Sequence, residues 1–268
     1  MELTKRWRWL AIEFLVIALG VFSALLVDTW VEDRENDRRE AEYRERLALD
    51  LRRDIANLNA VVYYYHRIRD YGLMTLTDLN GDKDLDDFTL MFAAFNAAEE
   101  WGFSLESSTF NDMQSTGGLA LIDDVQLRID LADYHRLGRS RGDIWNPPRA
   151  YRESVRGIIP NAFQAAIHES CVSNSETLEP LSAADSAGAS FPATVEPLTG
   201  SATSVGFCGL EAVNFDLARA AEELRSDPQV PRLLRFRNSE VRVAIALFEG
   251  QRQLAERLLE HLEAPKSG

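Results

Sequence analysis

Basic charge is in short supply in this chain. Lys and Arg total 29 against 43 Asp and Glu over 268 residues, a formal net charge of -14. Nucleic-acid binding needs clustered, uncompensated Lys and Arg, so that class of partner is excluded. The same balance disfavours flat docking of the body on anionic headgroups and favours colloidal solubility or basic partners. Histidine and cysteine are scarce too, at four and two residues. His66, His135 and His261 stand alone, without an HExxH or paired-histidine pattern. His168, Cys171 and Cys208 offer soft donors, but zinc takes four ligands and no fourth follows from the spacing. GxSxG, a phosphate-cradling loop and a dinucleotide fingerprint are also missing. Ser115-Thr116-Gly117-Gly118 reads as a helix stop rather than a phosphate loop. No catalytic residue, cofactor, metal or small-molecule substrate is assigned.

One long hydrophobic run is present. Trp9 to Val27 reads WLAIEFLVIALGVFSALLV. These are about 19 residues, or roughly 28 Å of helix, close to the hydrocarbon thickness of a bilayer. A signal peptide is the competing reading. It fails because the run is long, no A-x-A-like cleavage site follows, and an amphipathic helix continues directly out of it. Trp7, Trp9 and Trp30 bracket the span at headgroup depth. Inside it, Glu13, Ile17, Gly20, Ala24 and Val27 recur at helical spacing. The small pair Gly20 and Ala24 permits close approach of another membrane helix, from a second copy or a larger complex. Alternatively, Glu13 reaches the interface beside Arg6. Lys5, Arg6 and Arg8 precede the span, whereas Asp28 to Asp33 begins an acidic flank. The expected placement is a bacterial inner membrane, with a cytoplasmic N-terminus and a periplasmic body.

The body reads as all-α. Residues 1-8 form a short tail, 9-30 the membrane helix and 31-76 a long helix leaving it. Along that helix Leu47, Leu51, Ile55, Leu58, Val62 and Tyr65 make an apolar stripe, a coiled-coil seam or, with few heptads sustained, the face of an intramolecular bundle. Residues 77-170 continue the helical body. A turn at Asn80-Gly81 precedes helices over Phe88 to Trp101 and Leu105 to Gln114, the latter with Ser107 or Ser108 as its N-cap, and Asp123 opens another to about Arg139. Asn146-Pro147 starts a helix that Pro160 kinks or breaks. Residues 171-208 are rich in Ser, Thr, Ala and Pro and hold no Lys or Arg. A disulfide between Cys171 and Cys208 would tie this insertion at its base and place the body in an oxidising compartment. Residues 209-268 give two further helices, one capped by Asn214 and one begun by Asp227-Pro228.

Asp78, Asn80, Asp82, Asp84 and Asp86 alternate like the ligands of a calcium loop. Lys83 replaces the required glycine and Thr89 the bidentate acid, so an acidic turn between helices is the preferred reading.

Two stretches carry a resemblance. The first is EFLVIALGVFSALLVDTWVEDRENDRR. The second contains Thr109, Phe110, Ser115, Gly117, Leu119, Ile122, Leu127, Arg128 and Tyr134 in TFNDMQSTGGLALIDDVQLRIDLADY. Together they resemble a bacterial family of single-span membrane proteins catalogued only as a domain of unknown function. The resemblance implies a fold and no activity. The expected function is that of a non-enzymatic accessory protein in a larger membrane assembly, its partners being the membrane and other transmembrane helices. The alternative is a tethered periplasmic ligand-sensing domain.

Overall fold

No proline occurs before Pro147, and Gly20 and Gly72 are the only glycines between Glu2 and Leu79. Nothing therefore interrupts the backbone ladder over that stretch. The computed structural model describes residues 2-101, 105-144, 149-174 and 215-264, with the side chains of 2-12, 140-144 and 170-174 excluded. It contains helix α1 (Glu2–Leu79), α2 (Asp87–Ala97), α3 (Ser108–Thr116), a 3-10 turn (Gly118–Leu121), α4 (Val125–Ile144), α5 (Ala150–Ile158), α6 (Asn161–Asn174), α7 (Ala218–Ser226) and α8 (Val230–Glu263). The described residues include no strand. The chain divides into two compact units, residues 1-47 with 108-128, and residues 48-107 with 129-268.

In the second unit, α1 and α8 pair antiparallel. Arg52 bonds Glu263, Arg252 donates to Asn59 Oδ1 at 3.2 Å, His66 approaches Glu249 at 3.6 Å, and Arg235 donates to Asn80 Oδ1 at 3.1 Å. Numbers rise on one helix as they fall on the other. One row of buried positions on α1 is Leu51, Asp54, Leu58, Val61, Tyr65, Ile68, Gly72 and Thr75, with Ala48, Asp50, Ala60, Tyr64 and Asp78 buried beside it. Those of α8 include Val230, Leu234, Arg237, Val241, Ala244, Phe248, Gln251, Ala255, Leu258 and Leu262. Both series step by three and four without a break, the seven-residue repeat of two helices sharing a seam. Ile55 and Val62 are only half-buried, and Asp54 and Val61 take the seam instead. Polar residues inside the seam hide the repeat from a hydrophobic pattern.

The remaining helices cover a second core. Helix α2 buries Leu90, Met91, Ala93, Ala94, Phe95, Asn96 and Ala97, the Asn96 amide being satisfied by donating to the Phe92 carbonyl at 2.8 Å. Tyr151, Val155, Phe163, Leu224 and Leu234 pack in the same core, and Tyr151 Oη donates to the Ala94 carbonyl at 3.1 Å. Pro160 ends α5 rather than kinking it. Gln164 Nε2 then donates to the carbonyls of Arg156 and Ile159 at 2.9 and 2.8 Å, filling acceptors the break leaves open. The second helix stops at Ala97, short of Trp101. Trp101 instead offers its carbonyl to Tyr65 Oη at 2.8 Å.

Helix starts differ in detail from the sequence expectation. Asp124, not Asp123, caps α4, its Oδ1 accepting from Leu127 N at 3.0 Å. Helix α3 begins at Ser108 rather than Leu105, and α8 at Val230, with Asp227 Oδ1 accepting from Gln229 N at 2.8 Å. Asn146, Pro147 and Asn214 lie outside the described residues.

The seam carries its own test. A Cβ at Gly72 would lie 2.1 Å from Asn238 Oδ1, an amide that is buried without a hydrogen-bond partner. Gly72→Ala is expected to cost about 1–3 kcal/mol through overpacking. Asn238→Ala should be near neutral or stabilising, because it removes an unsatisfied polar group. In the double variant most of the Gly72→Ala cost should vanish, as read by chemical denaturation. Simple additivity would show that the two residues do not meet.

Candidate functional site

Along α1 from Glu13 to Arg34 every side chain is exposed. Phe14 is 74% exposed, Phe22 61% and Leu25 60%, a contiguous apolar surface of the kind that marks a contact with another molecule or a membrane. The helix is long and apolar enough to cross a membrane, and none of its apolar stretch is buried. Glu13, Ile17, Gly20, Ala24 and Val27 all lie on this exposed stretch, and nothing stands within 4 Å of a Cβ placed on Gly20. Thr29 Oγ1 donates back to the Leu25 carbonyl at 2.6 Å, so its hydroxyl is satisfied within the helix.

Charge begins immediately beyond. The Arg34 guanidinium stacks 4.7 Å over the Trp30 ring. Glu35 accepts from Arg38 at 2.8 Å and from Arg39 at 3.2 Å, and these bonds, Arg38's first, hold its carboxyl below the usual range. Within the first unit these residues line a cleft of about 460 Å³ together with Glu42, Tyr43, Arg46, Thr116, Gly117, Gly118 and Leu121.

The other wall of the cleft is the segment that carries the family resemblance. Thr109, Phe110, Ile122 and Leu127 are buried, while Leu119 and Arg128 are half-buried. Ser115 Oγ donates to the Asp112 carbonyl at 2.9 Å. Gly117 has φ +77°, which a side chain would strain, and it turns α3 into the 3-10 turn. At Gly118 a Cβ would meet the Tyr43 ring at 2.8 Å, so only glycine admits that ring. Tyr43 Oη lies 3.3 Å from Thr116 Oγ1, and Arg46 donates to Asp112 at 3.2 Å. Thr116, Gly117, Gly118 and Leu121 thus form one wall of a cleft that the sequence did not reveal. The one available signal was the Gly-Gly pair itself.

Tyr134 belongs to the second unit and reaches a buried polar node. Its Oη donates to Asp54 Oδ2 at 2.8 Å, and Glu106 N donates to Asp54 Oδ1 at 2.8 Å. Gln251 Nε2 donates to the Tyr134 carbonyl at 3.1 Å. Asp54 is wholly buried. Burial pushes its carboxyl up to about 7, against the downward pull of the two donors. Burial, aided by Arg139, lowers neighbouring His135 to about 4, so both groups are neutral in mildly acidic solution.

The acidic run Asp78 to Asp86 is spoken for by an arginine. Arg225 donates to Asp78 at 2.9 Å, to Asp87 at 2.9 Å and to the Leu85 carbonyl at 2.7 Å, and lies 3.9 Å from Asp84. Asp78 also accepts from Leu85 N at 2.8 Å, Asp86 caps α2 through Thr89, and Asn80 accepts from Arg235. Asp82 is exposed. A guanidinium therefore sits where a calcium loop would converge on its ion. Among the described residues no group of three or more His, Cys, Asp or Glu could hold a metal. Cys208 and the side chain of Cys171 lie outside the described residues, as does most of the segment between them.

No family model, curated protein or solved structure matches this chain.

Two outcomes follow from these contacts. Gly118→Ala should destabilise the first unit by about 1–3 kcal/mol, and Tyr43→Ser should relieve most of that cost; limited proteolysis near residue 117 reads both. A raised carboxyl favours the fold below its unfolded value near 3.9 and loses that contribution as pH climbs through about 7. His135 works in the opposite sense between about 6.5 and 4, equally in wild type and variant. The stability of Asp54→Asn minus wild type should therefore be flat below pH 4 and rise by a few kcal/mol by pH 8. A difference independent of pH would show that Asp54 is ionised throughout.

Proposed function

We propose that this chain is a membrane-anchored, non-enzymatic accessory protein of a larger membrane assembly, built like the single-span family its sequence resembles. One observation carries the reading: the apolar side chains of Phe14 to Val31 find no cover among the described residues, yet their helix continues without a break into a packed body. Hydrocarbon supplies the missing cover. The Gly20–Ala24 face leaves room for a second helix, and Phe236 and Val243, 56% and 53% exposed, offer the body an apolar contact two turns long on α8. In this reading the N-terminus is cytoplasmic, the body periplasmic in a bacterial inner membrane, and Cys171 pairs with Cys208.

A second reading is a tethered ligand-binding domain, favoured by the cleft beside the anchor, whose volume falls in the range of small-ligand sites.

The test uses the full chain in native membranes. It should resist an alkaline carbonate wash and migrate in mild detergent within an assembly larger than one chain. Gly20→Leu is expected to release the chain from that assembly without releasing it from the membrane. An unchanged assembly in that variant rules out the anchor face, and recovery in the soluble fraction rules out the anchor. Thiol labelling of intact cells should leave Cys171 and Cys208 unmodified until a reductant is added.

A further inference from the structure

We infer that the cleft beside the anchor receives the headgroup of a zwitterionic, amine-bearing phospholipid, its phosphate on Arg38 and Arg39 and its amine on Glu42. The inference rests on the anchored reading above.

Position comes first. At 1.5 Å per residue, the Arg38 and Arg39 backbones lie about 12 to 14 Å beyond Trp30 along α1. Side chains on a helix lean toward its N-terminus, here the membrane end. The observed contacts obey this: Arg34 folds back over Trp30, and Arg38 and Arg39 fold back onto Glu35. An extended arginine reaches about 6 Å, which brings both guanidinium groups to about 6 to 8 Å beyond Trp30, the aromatic residue that marks headgroup depth.

Charge comes second. On a chain of net charge -14, this cleft sets Arg38 and Arg39 against Glu35 and Glu42, Arg46 being bonded to Asp112. Arg38 and Arg39 both bond Glu35 while Glu42 acts on Arg38 only through space, so the pair retains donors for a phosphate. Glu42 lies one turn beyond Arg38 and opposes a headgroup of net negative charge, but it suits an ammonium. Volume is the third constraint. About 460 Å³ holds a phosphoethanolamine group together with water.

The experiment measures lipid retained by the full chain after a delipidating detergent wash, read by native mass spectrometry. Phosphatidylethanolamine, phosphatidylglycerol and diacylglycerol are supplied separately, and soluble glycerophosphoethanolamine competes in a further arm. The wild type should keep one phosphatidylethanolamine, with at least ten-fold less phosphatidylglycerol and no diacylglycerol. The double variant Arg38→Gln/Arg39→Gln should lose it at least ten-fold, whereas Arg136→Gln, remote in sequence and paired with Asp133, should not. Equal retention by the double variant, or equal retention of phosphatidylglycerol, overturns the proposal. So does displacement by the soluble headgroup at concentrations comparable to the lipid, which would move the site to a free ligand. Failure of the anchored reading itself is separately visible, because the chain would then leave the membrane in carbonate.

Discussion

Everything in this molecule depends on one uninterrupted ladder of backbone hydrogen bonds. Helix α1 runs from Glu2 to Leu79, and beyond its first turn the amides bond carbonyls four residues back, with no proline to remove a donor and two glycines to weaken the run. Water would tolerate such a helix only if its side chains were mostly polar. Hydrocarbon demands the ladder, because it offers no alternative partner for the backbone. In the anchored reading the same secondary structure serves under two solvents, and the side chains change at Asp28 while the backbone does not.

The ladder ends where its sequence dictates. Gly81 adopts φ +78°, and the amides of Gly81, Asp82 and Lys83 return to the carbonyls of Asp78 and Thr77. Asp78 and Asp86 then tie the turn to the start of α2, and Arg225 reaches in from α7 to neutralise the surplus acid. A cluster of carboxylates in sequence is an invitation to a cation. Here the cation is covalently part of the chain, supplied by a residue 147 positions away from Asp78. No local spacing rule could have found it.

Much of the fold was legible because it is written in local signals. The apolar run, the Asn80-Gly81 turn, the break at Pro160 and the end of α8 at Glu263 all follow from residue chemistry within a few positions. The α1–α8 seam was not legible, because Asp54, Gly72, Thr75, Arg237 and Gln251 occupy seam positions. A pattern search scores these as surface. Their burial makes sense only when long-range partners such as Glu106 N, Tyr134 and the Glu99 carbonyl are in place. The cleft was hidden for a related reason. Its residues come from positions some seventy apart, and Gly117 and Gly118 advertise a helix stop rather than the ring that rests on them.

Two long helices joined by a seven-residue repeat could in principle slide past each other by one repeat and still match apolar rows. Tyr134 opposes it by bridging the two helices, its hydroxyl on Asp54 of α1 and its carbonyl on Gln251 of α8. One step along the seam would break one of these bonds and leave a buried polar group unpaired, at a cost of about 1–3 kcal/mol. The Gly72–Asn238 close fit adds a steric tooth to the same lock. Helix α1 is therefore a ruler rather than a piston: within the body it cannot carry a message by axial displacement, only by rotation about its axis or by letting go altogether.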